Sequence, residues 1–166
     1  MHEPADFTGS RAEGYRLLKE RAESLWERDL PLHSNLANIS ALVKQFLDRT
    51  NWVGFYLWDA AANQLVLGPF QGRVACTRIP LGKGVCGAAV SERATQRVAD
   101  VHRFPGHITC DSASESEIVV PLIRAGSHPQ VLGVLDIDSP ARARFDAVDQ
   151  SGLEKLAAAL VSLWPG

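Results

Sequence analysis

Apolar positions recur at two different periods along the chain, and the change of period separates helical ends from a strand-rich middle. Between Arg11 and Arg28, Tyr15, Leu18, Ala22, Leu25 and Trp26 fall at helical spacing in an otherwise charged stretch, which predicts an amphipathic helix. Pro31 separates it from a second stripe, Leu36, Ile39, Leu42, Val43, Phe46 and Leu47, whose helix is expected to end near Asn51. Trp52 to Trp58 is then aromatic and β-branched, Asp59 to Gln64 is turn-like, and Leu65 to Phe70 and Arg73 to Pro80 are further short apolar runs, the pattern of a β-meander. A glycine-rich bend, Leu81 to Gly84, leads to a short helix over Val85 to Arg93 and a short strand over Gln96 to Asp100. Val101 to Ser116 is a polar loop of a length that compact domains usually reserve for function. Glu117 to Arg124 and Gln130 to Ile137 form a hairpin around Gly126 to Pro129, and Asp146 to Trp164 closes the chain as a helix striped by Leu153, Leu156, Ala157, Leu160 and Trp164. Terminal helices around hairpin-joined strands predict an α+β fold, an antiparallel sheet covered by helices. No repeat or linker divides the 166 residues, so one domain is expected, with residues 1–10 flexible.

Composition narrows the chemistry. With 46% hydrophobic and 22% charged residues, the chain can bury a core without metal or cross-links. Seventeen basic and nineteen acidic side chains leave a net charge of -2, which offers no field for nucleic acid or an anionic membrane surface. No apolar run reaches the roughly 20 residues of a membrane span, and Met1 to Ser10 lacks the features of a signal peptide, so a cytoplasmic protein is expected. Thiols stay reduced there, which leaves the three cysteines, Cys76, Cys86 and Cys110, without a role as static disulfides.

Three constellations could carry chemistry. Gly82-Lys83-Gly84-Val85-Cys86-Gly87 matches the G-x-G-x-x-G dinucleotide pattern, but its neighbouring strands read as antiparallel and Asp100 comes too soon for the ribose carboxylate. A tight turn, or an anion site at a helix start that lowers the Cys86 thiol pKa, are the other readings. His102, His107 and Cys110 share an H-x4-H-x2-C spacing and, with Cys86, could supply four zinc ligands. Finally, Glu117 starts one strand while Asp136 and Asp138, at i and i+2, point to one face of the next. Such a pair is costly in an apolar strand unless a cation lies opposite, and a ligand ammonium is the simplest partner; otherwise both aspartates lie past the strand end and cap the loop before Pro140.

The blocks Asn35-Leu-Ala-Asn-Ile-Ser-Ala-Leu42, Asn51-Trp-Val-Gly-Phe-Tyr-Leu57, Leu67-Gly-Pro-Phe-Gln-Gly72, Val74-Ala-Cys-Thr-Arg-Ile-Pro80, Gly84-Val-Cys-Gly87, Phe104-Pro-Gly-His107, Ser116-Glu-Ile-Val-Val-Pro121 and Leu135-Asp-Ile-Asp-Ser139 together resemble the GAF-domain free methionine-(R)-sulfoxide reductases. The resemblance runs in order from Asn35 to Ser139 and includes all three cysteines and the carboxylates Glu117, Asp136 and Asp138. Thr109, the Gly126 to Pro129 hairpin, and Asp29 to Ser34 depart from the family pattern. A GAF-like fold follows from the resemblance, as does an enzyme that uses thiols to reduce the free amino acid, with thioredoxin as electron donor, no cofactor and no metal. It places the attacking thiol at Cys110, close before Ser116-Glu117, with Cys76 or Cys86 resolving the sulfenic acid to a disulfide. The helix start at Cys86 also leaves open the reverse assignment, Cys86 attacking and Cys110 resolving. Glu117, Asp136 and Asp138 would bind the substrate ammonium, and Glu117 or a neighbour, kept protonated by crowding, would serve as general acid. Trp52 and Tyr56 would wall the methyl end. GAF domains of this kind often pair, and with the apolar face of the first helix this suggests a homodimer. A non-catalytic GAF sensory module is the alternative.

Overall fold

The computed structural model describes residues 9–108 and 111–166. Two helices open the described chain, α1 (Arg11–Leu25) and α2 (Leu32–Phe46). Strands β1 (Trp52–Asp59), β2 (Gln64–Gln71) and β3 (Arg78–Pro80) follow, then α3 (Gly84–Glu92) and β4 (Gln96–Val98). After a 3-10 turn at Val101–Arg103 come β5 (Ser116–Arg124), β6 (Gln130–Ser139) and α4 (Ala147–Leu163). The six strands form one antiparallel sheet in the order β3-β2-β1-β6-β5-β4. Helices and sheet make the expected α+β fold. Of the ten N-terminal residues expected to be flexible, residues 1–8 lie outside the described part, and Ser10 caps α1 in a capping box with Glu13.

Because strand side chains alternate, the two faces of the sheet carry different cores. Val53 and Phe55 of β1, Ile118, Val120 and Leu122 of β5, and Leu135 and Ile137 of β6 pack against α1, α2 and α4. Their sequence neighbours point the other way: Trp52, Tyr56, Val119 and Val134 join Leu65, Ile79 and the α3 residues Val85, Cys86, Ala89 and Val90 in a second, smaller cluster. The helical face is the structural core, and the α3 face holds the candidate site.

The terminal helices are joined through polar as well as apolar contacts. Tyr15 donates its hydroxyl to buried Asp149 at 2.7 Å, Arg144 donates to the other Asp149 oxygen at 3.2 Å, and Arg11 pairs with Asp146. The α1 stripe of Tyr15, Leu18, Ala22 and Trp26 is buried within the chain, so it does not offer the apolar face on which the homodimer expectation partly rested.

One expectation about the strands needs correcting. Arg73 to Pro80 is not a strand throughout, since only Arg78–Pro80 pairs with β2, and Cys76 lies in the loop before it. There the Arg73 and Cys76 carbonyls accept hydrogen bonds from side chains instead of a neighbouring strand. The G-x-G-x-x-G segment is a tight turn that runs into the start of α3: Gly82 and Gly84 take positive φ of 71° and 60°, and the Gly82 N–H donates to the Gly87 carbonyl at 3.1 Å. The strand before it, β3, runs antiparallel to its neighbour, so no parallel dinucleotide-binding unit exists there.

Gly54 occupies the α3 face of β1 between Trp52 and Tyr56, whose rings stack with centroids 5.7 Å apart. A Cβ at Gly54 would lie 2.3 Å from the Phe70 Cβ and 2.6 Å from the Trp52 ring. Gly54→Ala is therefore expected to cost about 1–3 kcal/mol by overpacking. That corresponds to a fall in Tm of roughly 3–10 °C in thermal unfolding. An unchanged Tm would contradict this packing.

Candidate active site

Strand register assembles the acidic side chains. Glu117 of β5 faces Asp138 of β6, Asp138 faces Trp52 of β1, and Asp136 faces Gly54 on one side and Val119 on the other. Since β6 continues to Ser139, both aspartates are strand residues, and the reading in which they cap the following loop is excluded. Glu117 and Asp136 are each only 6% exposed, yet among the described residues no lysine or arginine pairs with them. His107 lies beside Glu117, with Nε2 3.8 Å from Oε2. The Oδ1 of Asp136 is buried without a hydrogen-bond partner.

Burial without a counter-charge shifts these groups strongly, since removing a carboxylate from water disfavours its ionised form. Burial first, then the charges of Asp136 and Asp138, hold Glu117 well above the ordinary glutamate range. Burial lifts Asp138 likewise, with Asp136 adding to it. Asp136 rises to about 7 through burial, held back by hydrogen bonds from Cys86 and Glu117. Burial, with His102 adding to it, also pushes the pKa of His107 down.

Cys86, third residue of α3, packs its thiol against this group with Sγ 4.0 Å from Glu117 Oε1. The expected lowering of its pKa by the helix start is not found. Burial, then Asp136 and Glu117, push the thiol well above its ordinary value, because complete desolvation beside carboxylates outweighs a helix terminus worth a fraction of a charge. Cys86 is a free thiol, whereas Cys76 is disulfide-bonded. Cys110 and Thr109 lie outside the described residues.

The aromatic wall also anchors the Cys76 loop. Trp52 Nε1–H donates to the Arg73 carbonyl at 3.2 Å, and the Tyr56 hydroxyl donates to the Cys76 carbonyl at 3.1 Å. Both rings thus line the pocket while their polar edges hold the loop that carries the cysteine. Val74, Ala75, Ile79, Ile108, Asp111 and Ser114 also line the pocket. Asn51 Nδ2 donates to both Asp111 Oδ2 and Ser114 Oγ at 3.0 Å, which ties the segment before β5 to the start of β1.

All of Trp52, Tyr56, Cys86, Glu117, Asp136 and Asp138 therefore line one pocket. Among the described residues, the candidate zinc ligands are not brought together: His102 faces Glu115 at 3.4 Å, with Arg142 on the same carboxylate, while His107 faces Glu117. Sequence reasoning missed Asn51, Asp111 and Ser114 and treated His107 only as a metal ligand. Asn51 had a signal, a polar amide at the junction of a helix and an apolar strand. Asp111 and Ser114 had none beyond membership of a long polar loop.

A family model described as GAF domain matches residues 31–162. The free methionine-R-sulfoxide reductase of Escherichia coli is 48% identical over 151 residues, covering 91% of this chain and 88% of that one. The chain belongs to the GAF-domain free methionine-R-sulfoxide reductase family. A crystal structure of the Neisseria meningitidis family member in complex with its substrate superposes with a TM-score of 0.89 at 44% identity, covering 98% of this chain and 95% of that one. A putative GAF sensor protein from Burkholderia vietnamiensis is 56% identical with a TM-score of 0.85, covering 92% of this chain and 94% of that one. Among the described residues, no helix is long and apolar enough to cross a membrane.

The carboxyl group makes the site costly to the fold. The folded-state pKa of Glu117 lies above the ordinary, unfolded value, so its contribution to stability is present at low pH and is lost as pH rises past that value. Glu117→Gln is expected to raise Tm at about pH 8 by at least roughly 3 °C, with the gain vanishing toward about pH 4. Thermal unfolding across that range checks the sign, and a gain independent of pH would refute it.

Proposed function

We propose that this protein reduces free methionine-(R)-sulfoxide to methionine through its cysteines, with thioredoxin as the electron donor. The observation that carries the reading is the buried carboxylate group on one side of an aromatic-walled pocket, without a paired lysine or arginine among the described residues. A free amino acid brings the missing cation as its α-ammonium, which Asp136 and Asp138 receive. Peptide-bound methionine sulfoxide has no such ammonium and would leave buried charge unpaired, a loss of several kcal/mol. Trp52 and Tyr56 enclose the methylthio end. The substrate complex of the Neisseria meningitidis relative supports the substrate.

In the first half-reaction Cys110 attacks the substrate sulfur as its thiolate, and Glu117, held protonated, delivers a proton to the sulfoxide oxygen. The oxygen passes to the cysteine sulfur as a hydroxyl group. Two electrons move from cysteine sulfur to substrate sulfur, so methionine leaves and a sulfenic acid remains. In the second, the Cys76 thiol attacks that sulfenic sulfur, water departs and a disulfide forms. Two facts favour Cys76 over Cys86 as resolving thiol: Cys76 is a disulfide-forming cysteine in an exposed loop, and Cys86 is a free thiol whose surroundings oppose ionisation. Thioredoxin's dithiol then reopens the disulfide by exchange, in the reducing cytoplasm.

The Burkholderia vietnamiensis neighbour described as a putative sensor keeps a second reading in view, a GAF module that binds a small ligand and does no chemistry. Mass spectrometry after free methionine-(R)-sulfoxide treatment of reduced protein separates them. The enzyme loses the mass of two hydrogen atoms, and the sensor stays unchanged. With thioredoxin, its reductase and NADPH, steady oxidation of NADPH on the free R epimer and little on oxidised peptides is expected. Cys110→Ser should abolish even the first turnover, whereas Cys76→Ser should still release one methionine per chain. Equal rates on peptides, or a Cys76→Ser protein without that first methionine, would contradict the assignment.

A further inference from the structure

The proposed cycle uses two thiols and leaves the third, Cys86, without a task. Its surroundings are unusual for a spare cysteine. The Cys86 sulfur and one carboxylate oxygen each from Glu117 and Asp136 all lie within 4.8 Å of one another, and all three residues are buried. Asp136 is 6% exposed, and its Oδ1 is buried with no hydrogen-bond partner. Asp138 borders the same pocket. One substrate ammonium offsets one negative charge, so a thiol and three carboxyl groups exceed what the substrate needs.

We propose that the pocket floor is an inhibitory site for a borderline-soft divalent cation of the Zn2+ type, ligated by Cys86 Sγ, Glu117 and Asp136 with solvent in the fourth position. Zinc holds sulfur at about 2.3 Å and carboxylate oxygen at about 2.0–2.2 Å, so its ligand atoms stand roughly 3.5 Å apart. The Cys86 and Glu117 ligand atoms stand 4.0 Å apart, a small contraction away. The thiolate selects against Mg2+ and Ca2+, which prefer oxygen ligands only. On binding, the cation displaces protons from the ligands into solvent. Another acidic cluster, Asp100, His102 and Glu115, shows the contrast: Arg142 already lies 2.9 Å from Glu115 and 3.5 Å from Asp100. The bound cation occupies the carboxylates that receive the substrate ammonium, so metal and substrate exclude each other. That exclusion rests on the proposed function; the metal site itself rests on the cluster.

The test uses Co2+ as a spectroscopic stand-in for Zn2+ on the full chain in its disulfide state, with thiol titration giving one free thiol per chain, Cys86. A thiolate-to-cobalt charge-transfer band is expected to saturate at one equivalent and to be displaced by Zn2+ but not by excess Mg2+. Cys86→Ala should abolish the band, and Asp136→Asn should weaken affinity by at least about 10-fold. Free methionine-(R)-sulfoxide should lower the apparent cobalt affinity, and Zn2+ should raise the KM of the reduced enzyme. Absence of the band in the wild-type chain overturns the site whether or not the variants fold, as does a band that survives Cys86→Ala. A chain that binds cobalt in this way but does not reduce the sulfoxide keeps the site and overturns the proposed activity. A chain that reduces it and shows no band does the reverse.

Discussion

Three carboxyl groups share an apolar pocket without a paired lysine or arginine among the described residues, and the rest of the site follows from that constraint. An arginine packed among Glu117, Asp136 and Asp138 would stabilise the fold and fill the place of an ammonium. Here desolvation is left unpaid, and the groups respond by rising in pKa, Asp136 to about 7 and the other two well above their ordinary range. A pocket in this condition presents both proton donors and latent anions. In the proposed function such a pocket receives a cationic ligand by losing protons, which suits a zwitterionic amino acid whose far end carries an oxygen in need of a proton.

The sheet supports this arrangement through alternation and register. The pairing of Glu117 with Asp138 and of Asp138 with Trp52 lies in the central strands, whose opposite sides are packed by α1, α2 and α4. A slip by one residue on β6 would turn both aspartates into the helical core and Leu135 and Ile137 into the pocket. The large apolar core on one face thus fixes the position of the unstable polar group on the other. Trp52 and Tyr56 each serve twice, as a wall toward the pocket and as a hydrogen-bond donor toward the Cys76 loop.

Much of this was legible in the sequence because periodicity reports burial directly. The stripes of Tyr15, Leu18 and Ala22 and of Leu153, Leu156 and Leu160 predicted the terminal helices, and the i, i+2 spacing of Asp136 and Asp138 placed both on one face. The Cys76 segment read as a strand because Val74, Ala75 and Cys76 are apolar, but their backbone is held by Trp52 and Tyr56, contacts across about twenty residues that no local pattern encodes. The Cys86 thiol misled for a related reason. A helix start is a local feature that favours a thiolate, and the carboxylates that oppose it arrive from strands that lie 31 and more residues away in sequence. Long-range contacts likewise explain why Asn51, Asp111 and Ser114 went unnoticed.

The central claim is that a free amino acid's ammonium ionises a carboxyl group that is protonated in the empty pocket. Calorimetric titration of the disulfide-state protein, which cannot turn over, with free methionine-(R)-sulfoxide in buffers of different ionisation enthalpy measures this directly. Near neutral pH the account predicts release of about one proton per ligand bound, with the N-acetyl derivative binding at least about 10-fold more weakly and releasing none. A binding heat that does not change with the buffer, or equal affinity for the N-acetyl compound, would contradict it.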